Sequence, residues 1–170
     1  MLRDTLRQDF TRNPSRLVRA LLVNYRVGRF VAGSSLPSPV KRLSRIVYAI
    51  MLNVLLIPLG GGELHTRSEI GPGLRLSHRL NGTVIHPLAR LGKDVTLFHQ
   101  VTIGGTKTAD GSTLVPVIGD NVTIYPGAKV LGGVIVGDNA VIGANAVVMD
   151  DVPEGGLAVA DRARVIHKSS

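Results

Sequence analysis

Residues 118–148 read IGDNVTIYPGAKVLGGVIVGDNAVIGANAVV. An aliphatic residue recurs every six positions, at Ile118, Ile124, Val130, Val136, Ile142 and Val148. Four places after each stands Val122, Ala128, Val134, Ala140, Ala146 or Val152. A fixed short repeat of this kind is the signature of a β-solenoid. Each six-residue unit makes one short strand and one turn, and three units close a triangular coil. The aliphatic residue points inward and stacks on its counterparts above and below. The residue four places on also faces in, where a large side chain would not fit. Gly follows the aliphatic directly at Gly119, Gly137 and Gly143, and glycine tolerates turn angles that other residues adopt only at a cost.

The period extends upstream through Leu64, Ile70 and Leu76, then Ile85, Leu91, Leu97 and Ile103, with Gly71, Gly92 and Gly104 in the following place. A chance alternation in a β-sandwich would not hold phase over that length. The series breaks twice. Extra residues intrude within His78-Arg79-Leu80-Asn81-Gly82, and a polar loop occupies 104–117. Loops leaving a rigid scaffold are where binding and catalysis concentrate, so both breaks are site candidates. A solenoid also has two open ends that need caps.

Upstream of Glu63 the period is helical. Asn13-Pro14 reads as N-cap and first helical position. Leu17, Leu21, Leu22 and Tyr25 then form an apolar stripe, with Arg16, Arg19 and Arg26 off it. Gly33 and Ser34-Ser35-Leu36-Pro37 end this helix, and Ser38-Pro39 starts another. Ile46 to Leu59 is uncharged and shorter than the roughly 20 residues of a spanning helix. It is expected to pack on a neighbour, with a membrane interface as the alternative. Pro58 and Gly60-Gly61-Gly62 close it. The division is therefore a basic α-helical region over 1–62, a coil region over 63–152 with the loop 104–117, and a C-terminal cap and tail over 153–170.

The chain has 170 residues, a net charge of +8 and no cysteine. Disulfides, cysteine-ligated zinc and thiol catalysis are excluded. Residues 1–62 hold ten Lys/Arg against Asp4 and Asp9, which accounts for the whole excess. That segment is a candidate for peripheral membrane contact or an acidic partner. Nucleic acid is not expected, since aromatic residues are sparse there. No signal-peptide apolar stretch is visible at the N-terminus, so a cytoplasmic location is expected, with membrane association through 1–62 as its variant.

The chain resembles the serine O-acetyltransferase family of hexapeptide-repeat enzymes. The matching residues include Glu63-Leu64-His65, Ile70-Gly71-Pro72-Gly73, Leu76-Ser77-His78, Val101-Thr102-Ile103-Gly104-Gly105-Thr106 and Ala163-Arg164-Val165, within about 60–166. Its short helical region is most similar to the compact relatives of exopolysaccharide (colanic-acid-type) biosynthesis. The resemblance implies a mainly β fold, a left-handed parallel β-helix of hexapeptide repeats preceded by a short α-helical N-terminal region. It implies acetyl-CoA as co-substrate, a hydroxyl acceptor, and a homotrimer with sites between adjacent β-helices. The family's catalytic Asp-His pair matches Ser77-His78, and its carboxylate partner matches Glu63. A neutral imidazole can take the hydroxyl proton, and a carboxylate would stabilise the imidazolium. Gly104, Gly105 and Thr106 match a surface for the pantetheine arm, and Ala128 and Ala146 match small positions near the CoA groove. Arg164 and Lys168 could meet CoA phosphates by charge. Where serine-using members carry Arg-His-Pro in the loop, this chain has Leu114-Val115-Pro116. An Arg fork pairs carboxylates bidentately, and neither Leu nor Val replaces it.

By register His99 points out of the coil and is the second histidine candidate after His78. His65 and His86 read as surface or subunit-contact residues. No His/Asp/Glu set has ligand spacing, so no metal is expected. The leading expectation is acetyl transfer to a sugar or polysaccharide-intermediate hydroxyl. Serine O-acetyltransferase of cysteine biosynthesis is the alternative, and a non-catalytic β-helix scaffold is the second alternative.

Overall fold

The structure is a computed structural model that describes residues 2–51 and 61–166. Short strands stack in parallel on three faces. The first runs through Val84–Ile85, Thr102–Gly104, Lys129–Leu131 and Val147–Val148, with Glu63 bridging to Val84. The second runs through Glu69–Ile70, Arg90–Leu91, Val117–Ile118 and Ile135–Val136, and Val152 bridges to Val136. The third holds Arg75–Leu76, Thr96–Leu97, Thr123–Ile124, Val141–Ile142 and Leu157–Ala158. In register each aliphatic of the series sits on another: Leu76 on Leu97, Leu97 on Ile124, Ile124 on Ile142. Every member from Leu64 to Val148 is buried, and so are the residues four places after Ile118 through Val148. The stack runs on to Ala158, past the expected end at 152.

The glycines after the aliphatic have a different cause from the one expected. None of Gly71, Gly92, Gly119 or Gly137 has a positive φ. A Cβ on Gly92 would lie 2.6 Å from the backbone of Gly119, and one on Gly71 would lie 2.5 Å from the Gly92 carbonyl oxygen. These glycines let successive coils close up. The left-handed turn angle falls two places later, on Asp94, Asn121, Asn139 and Asn145, types that tolerate it.

Three helices precede the coils: α1 (Leu2–Arg12), α2 (Arg16–Gly33) and α3 (Ser38–Ile50). The N-cap of α2 is Ser15, not Asn13. Asn13 is drawn into the first coil instead. Its Nδ2 donates to the carbonyls of Asp9 (2.8 Å) and Leu74 (2.7 Å), and its Oδ1 accepts from the Leu76 N–H (3.0 Å). A buried amide with all its bonds made is worth more than a cap that Ser15 can supply. The apolar stripe centres on Val18, Leu21, Leu22 and Tyr25, with Leu17 partly buried.

Arg26 lies off that stripe, yet it is buried rather than solvated. Its guanidinium holds Asp9 bidentately (2.9 and 3.1 Å) and donates to the carbonyls of Ile70 and Gly71. Asp9 Oδ1 in turn accepts from the N–H groups of Gly73 and Leu74. This pair docks α1 and α2 onto the first coil. Of the apolar run Ile46 to Leu59 expected to pack on a neighbour, only the part in α3 and Met51 is described, and there Tyr48 reaches the coils, donating to the Leu64 carbonyl. None of the described residues of α3 is buried, and Val40, Leu43, Ile46, Val47 and Ile50 are all exposed. The rest of that apolar run, with Pro58 and Gly60, lies outside the described residues. No described helix is long and apolar enough to cross a membrane.

Candidate functional site

The first break in the period forms a corner between the third and first faces. Leu76 and Ser77 leave the third face in register, since the Ser77 N–H donates to the Leu97 carbonyl (2.8 Å). The chain then enters two successive left-handed residues, His78 (φ 59) and Arg79 (φ 66). Leu80 returns to the interior, fully buried, and anchors the excursion. Left-handed backbone at a non-glycine residue costs on the order of 1–3 kcal/mol and clusters at functional sites. Arg79 occupies the ordinary turn position of the repeat, whereas His78 is the addition.

At the same corner one coil further on stand Phe98 and His99. The rings of His78 and His99 meet edge-on with centroids 5.2 Å apart. Phe98 lies 6.3 Å from His78 and stacks on Tyr125 at 4.9 Å. The two histidine candidates are therefore neighbours. Nδ1 of His99 is buried and has no hydrogen-bond partner among the described residues, while the His78 ring is exposed. A cavity of about 320 Å³ opens beside His78, lined by Arg12, Asn13, Arg75, Ser77, His78 and Arg79 among others, and His99 does not line it. A larger one of about 960 Å³ on α1 is lined by Leu2, Leu6 and Phe10 together with Arg3, Asp4, Arg7 and Arg19, and no histidine lines it.

The second break is a hairpin rather than an open loop. Thr106 pairs with Leu114 and Lys107 with Thr113, antiparallel. At its tip Asp110 accepts from the hydroxyl of Thr108 and from the N–H and hydroxyl of Ser112, bonds that lower its pKa to about 2. The hairpin leans on the next coil at Gly132-Gly133, where a Cβ would come 3.2 Å from Thr106 Oγ1 and 3.1 Å from Leu114 Cβ. Within one chain the hairpin and the histidines occupy different corners, the first between faces one and two, the second between faces three and one.

Gly104, Gly105 and Thr106 lead into that hairpin, with the Gly104 carbonyl accepting from the Gly132 N–H (3.0 Å). Glu63 is exposed at the first strand of face one, and no hydrogen bond joins it to either histidine among the described residues. Ala128 and Ala146 are core residues, 0% and 3% exposed, so neither methyl lines a groove. Their N–H groups bond to the carbonyls of Tyr125 and Gly143 inside the coils. Arg164 is exposed in the tail, and Lys168 lies outside the described residues. His86 accepts from the Leu88 N–H through Nδ1, and the carbonyl of exposed His65 accepts from Ser68. Sequence reasoning missed Arg12, Arg75 and Arg79 as cavity residues. Arg75 and Arg79 flank Leu76 at outward positions of the repeat, where the period gives no signal.

Triangular coils, a strained histidine corner and a hairpin at the second break describe a hexapeptide-repeat transferase scaffold. A model of the bacterial transferase hexapeptide (six repeats) family matches residues 116–150. A serine acetyltransferase of Helicobacter pylori is 45% identical over 108 residues, 64% of this chain and 62% of that protein. A serine acetyltransferase of Staphylococcus xylosus is 33% identical over 153 residues, 89% of this chain and 70% of that protein. A solved serine acetyltransferase in complex with CoA aligns with a TM-score of 0.69 at 28% identity, over 89% of this chain and 58% of that one. The chain belongs to the serine acetyltransferase family. Its fold is a left-handed parallel β-helix behind a short helical region. The chain spans 62% of the length of the Helicobacter relative.

Proposed function

We propose that this protein transfers acetyl from acetyl-CoA to the hydroxyl of an acceptor, with His78 as general base. The observation that carries this reading is the His78 corner: a strained, exposed imidazole against a second histidine, beside a cavity. The hydroxyl oxygen attacks the thioester carbonyl as its proton passes to the imidazole. A C–O bond forms, the C–S bond breaks, and the CoA thiolate leaves and recovers the proton. Glu63 bridges to Val84, the first residue of the strand to which this corner returns, and we assign it the carboxylate role of holding the imidazolium. The different corners of histidines and hairpin support a trimer in which one chain's His78 faces its neighbour's hairpin. Gly104 to Thr106 would lie along the CoA arm, with Arg164 near its phosphates.

The relatives' names make L-serine the first acceptor. They give no support to the glycan expectation. One observation keeps a non-serine hydroxyl as the second reading: the hairpin carries Leu114-Val115-Pro116 and only Lys107 as a cation. Thiol release from acetyl-CoA, measured with L-serine and with neutral sugars in parallel, separates the two. His78→Ala should lower turnover by about 10²–10⁴ with an unchanged circular dichroism spectrum. Undiminished turnover in that variant refutes His78 as base. A protein that binds CoA but releases no thiol with any hydroxyl compound would be a scaffold.

A further inference from the structure

We propose that Arg75 and Arg79 form an anion subsite beside His78 that receives an acidic group of the acceptor. The inference rests on the transfer reading above and adds the substrate class. Among the residues lining the cavity, Arg12, Arg75 and Arg79 carry positive charge and none is a carboxylate. The three are not equivalent. Arg12 is already used: it donates to the Gly73 carbonyl (2.6 Å), to Asp94 (3.2 Å) and to Thr96 Oγ1 (3.1 Å). Asn13 is likewise spent on the first coil. Arg75 and Arg79 are exposed, and neither has an ion pair or side-chain hydrogen bond among the described residues.

Their placement is set by the backbone. Arg75 stands on the outer side of the third face, next to Thr96 in register and with Thr123 beyond, both neutral. Arg79 is held in the left-handed region. Arg75 and Arg79 thus stand on either side of Leu76 and Ser77 in the chain and line the same cavity as His78. A guanidinium fork matches a carboxylate or a phosphate bidentately. The cavity offers no carboxylate for an ammonium group, and the hairpin has no Arg where an acidic acceptor would otherwise be gripped. The chemistry recognised is an oxyanion on a hydroxyl compound. The carboxylate of L-serine and the phosphate of a phosphorylated sugar are its two sources.

The test compares L-serine, D-glucose 1-phosphate and D-glucose as acceptors for the wild type, Arg75→Gln, Arg79→Asn and the double variant. Asn is chosen because it tolerates left-handed backbone. The wild type should prefer an acidic acceptor to D-glucose, and which one it prefers names the source. The double variant should raise KM for that acceptor by about tenfold or more, leaving KM for acetyl-CoA unchanged and kcat within about threefold. Arg75→Lys should recover part of the loss. Equal use of D-glucose, or an acceptor KM within about twofold of wild type in the double variant, overturns the subsite while leaving transfer intact. Should no acceptor turn over, the transfer reading fails. Calorimetric titration of D-glucose 1-phosphate then decides the subsite: binding lost in the double variant supports it, and no binding to the wild type overturns it.

Discussion

Asp9 is one of two acidic residues in the basic N-terminal third, and it is fully buried. Its carboxylate joins α1, Arg26 of α2 and the backbone of Gly73 and Leu74. Removing one partner of such a pair strands the other charge, which typically costs about 3–5 kcal/mol. Asp9→Asn should therefore lower the urea midpoint strongly, since it leaves the buried Arg26 guanidinium without its counter-charge. Gly92 gives a second prediction at this scale. A Cβ there meets Gly119 backbone at 2.6 Å, whereas one on Gly111, at the hairpin tip, meets nothing within 4 Å. Gly92→Ala should cost about 1–3 kcal/mol from overpacking. Gly111→Ala should cost about 1 kcal/mol or less, its positive φ being partly offset by the smaller freedom of the unfolded chain. Thermal melts of the two variants check the order. Both glycines were visible in the sequence, but only coil stacking tells an approach glycine from a turn glycine.

At the scale of the element, α2 is tied to the coils through tyrosine. The Tyr25 hydroxyl donates to the Ser68 carbonyl (2.9 Å), and that of Tyr48 on α3 to the Leu64 carbonyl (2.5 Å). Burial raises the pKa of both phenols, outweighing the neighbouring Arg26 and Arg29 in the case of Tyr25. The folded state therefore holds these protons more tightly than the unfolded chain. The associated stability is fully present below the unfolded pKa of about 10 and is lost as pH rises through the folded value. Melting temperature should fall steeply above pH 10. Tyr25→Phe should cost about 1 kcal/mol at neutral pH and remove part of the alkaline slope, with Tyr48→Phe removing more. An identical slope in the double variant would sink the assignment. The stripe carrying Tyr25 was legible by its helical spacing. Its docking partners were not, because Asn13 and Arg26 act on coil backbone that only the folded chain brings near. The open apolar face of α3 was equally hidden, since periodicity shows an apolar stripe but not whether anything covers it.

For the whole molecule, the six-residue period was sufficient to place each aliphatic member of the series from Leu64 to Val148 in the interior, because a solenoid repeats one local rule. Its first interruption singled out His78, and register singled out His99 one coil on. The arginines beside His78 escaped notice because outward positions of a coil carry no pattern. That same one-dimensional build makes stability a sum of rung-to-rung contacts, and the two ends differ. The first coil is covered by α1 and α2 through Asp9, Asn13 and Arg26. The last rung, Leu157–Ala158, has one neighbour, and Leu157 is 67% exposed. Hydrogen exchange should expose this asymmetry. The amides of Thr96 and Thr102 donate to Val122 and Ala128 in mid-stack, whereas those of Val141 and Gly143 donate to Gly156 and Ala158 on the end rung. Local opening of that rung frees the second pair without disturbing the first, so Val141 and Gly143 should exchange at least about tenfold faster. Asp9→Ala should shift the balance by quickening Gly73 and Leu74, whose amides lose their acceptor, before Thr96 or Thr102 is affected. Uniform protection from Gly73 to Gly143 would instead mean that the stack opens only as a whole, and the rung-by-rung account would fall.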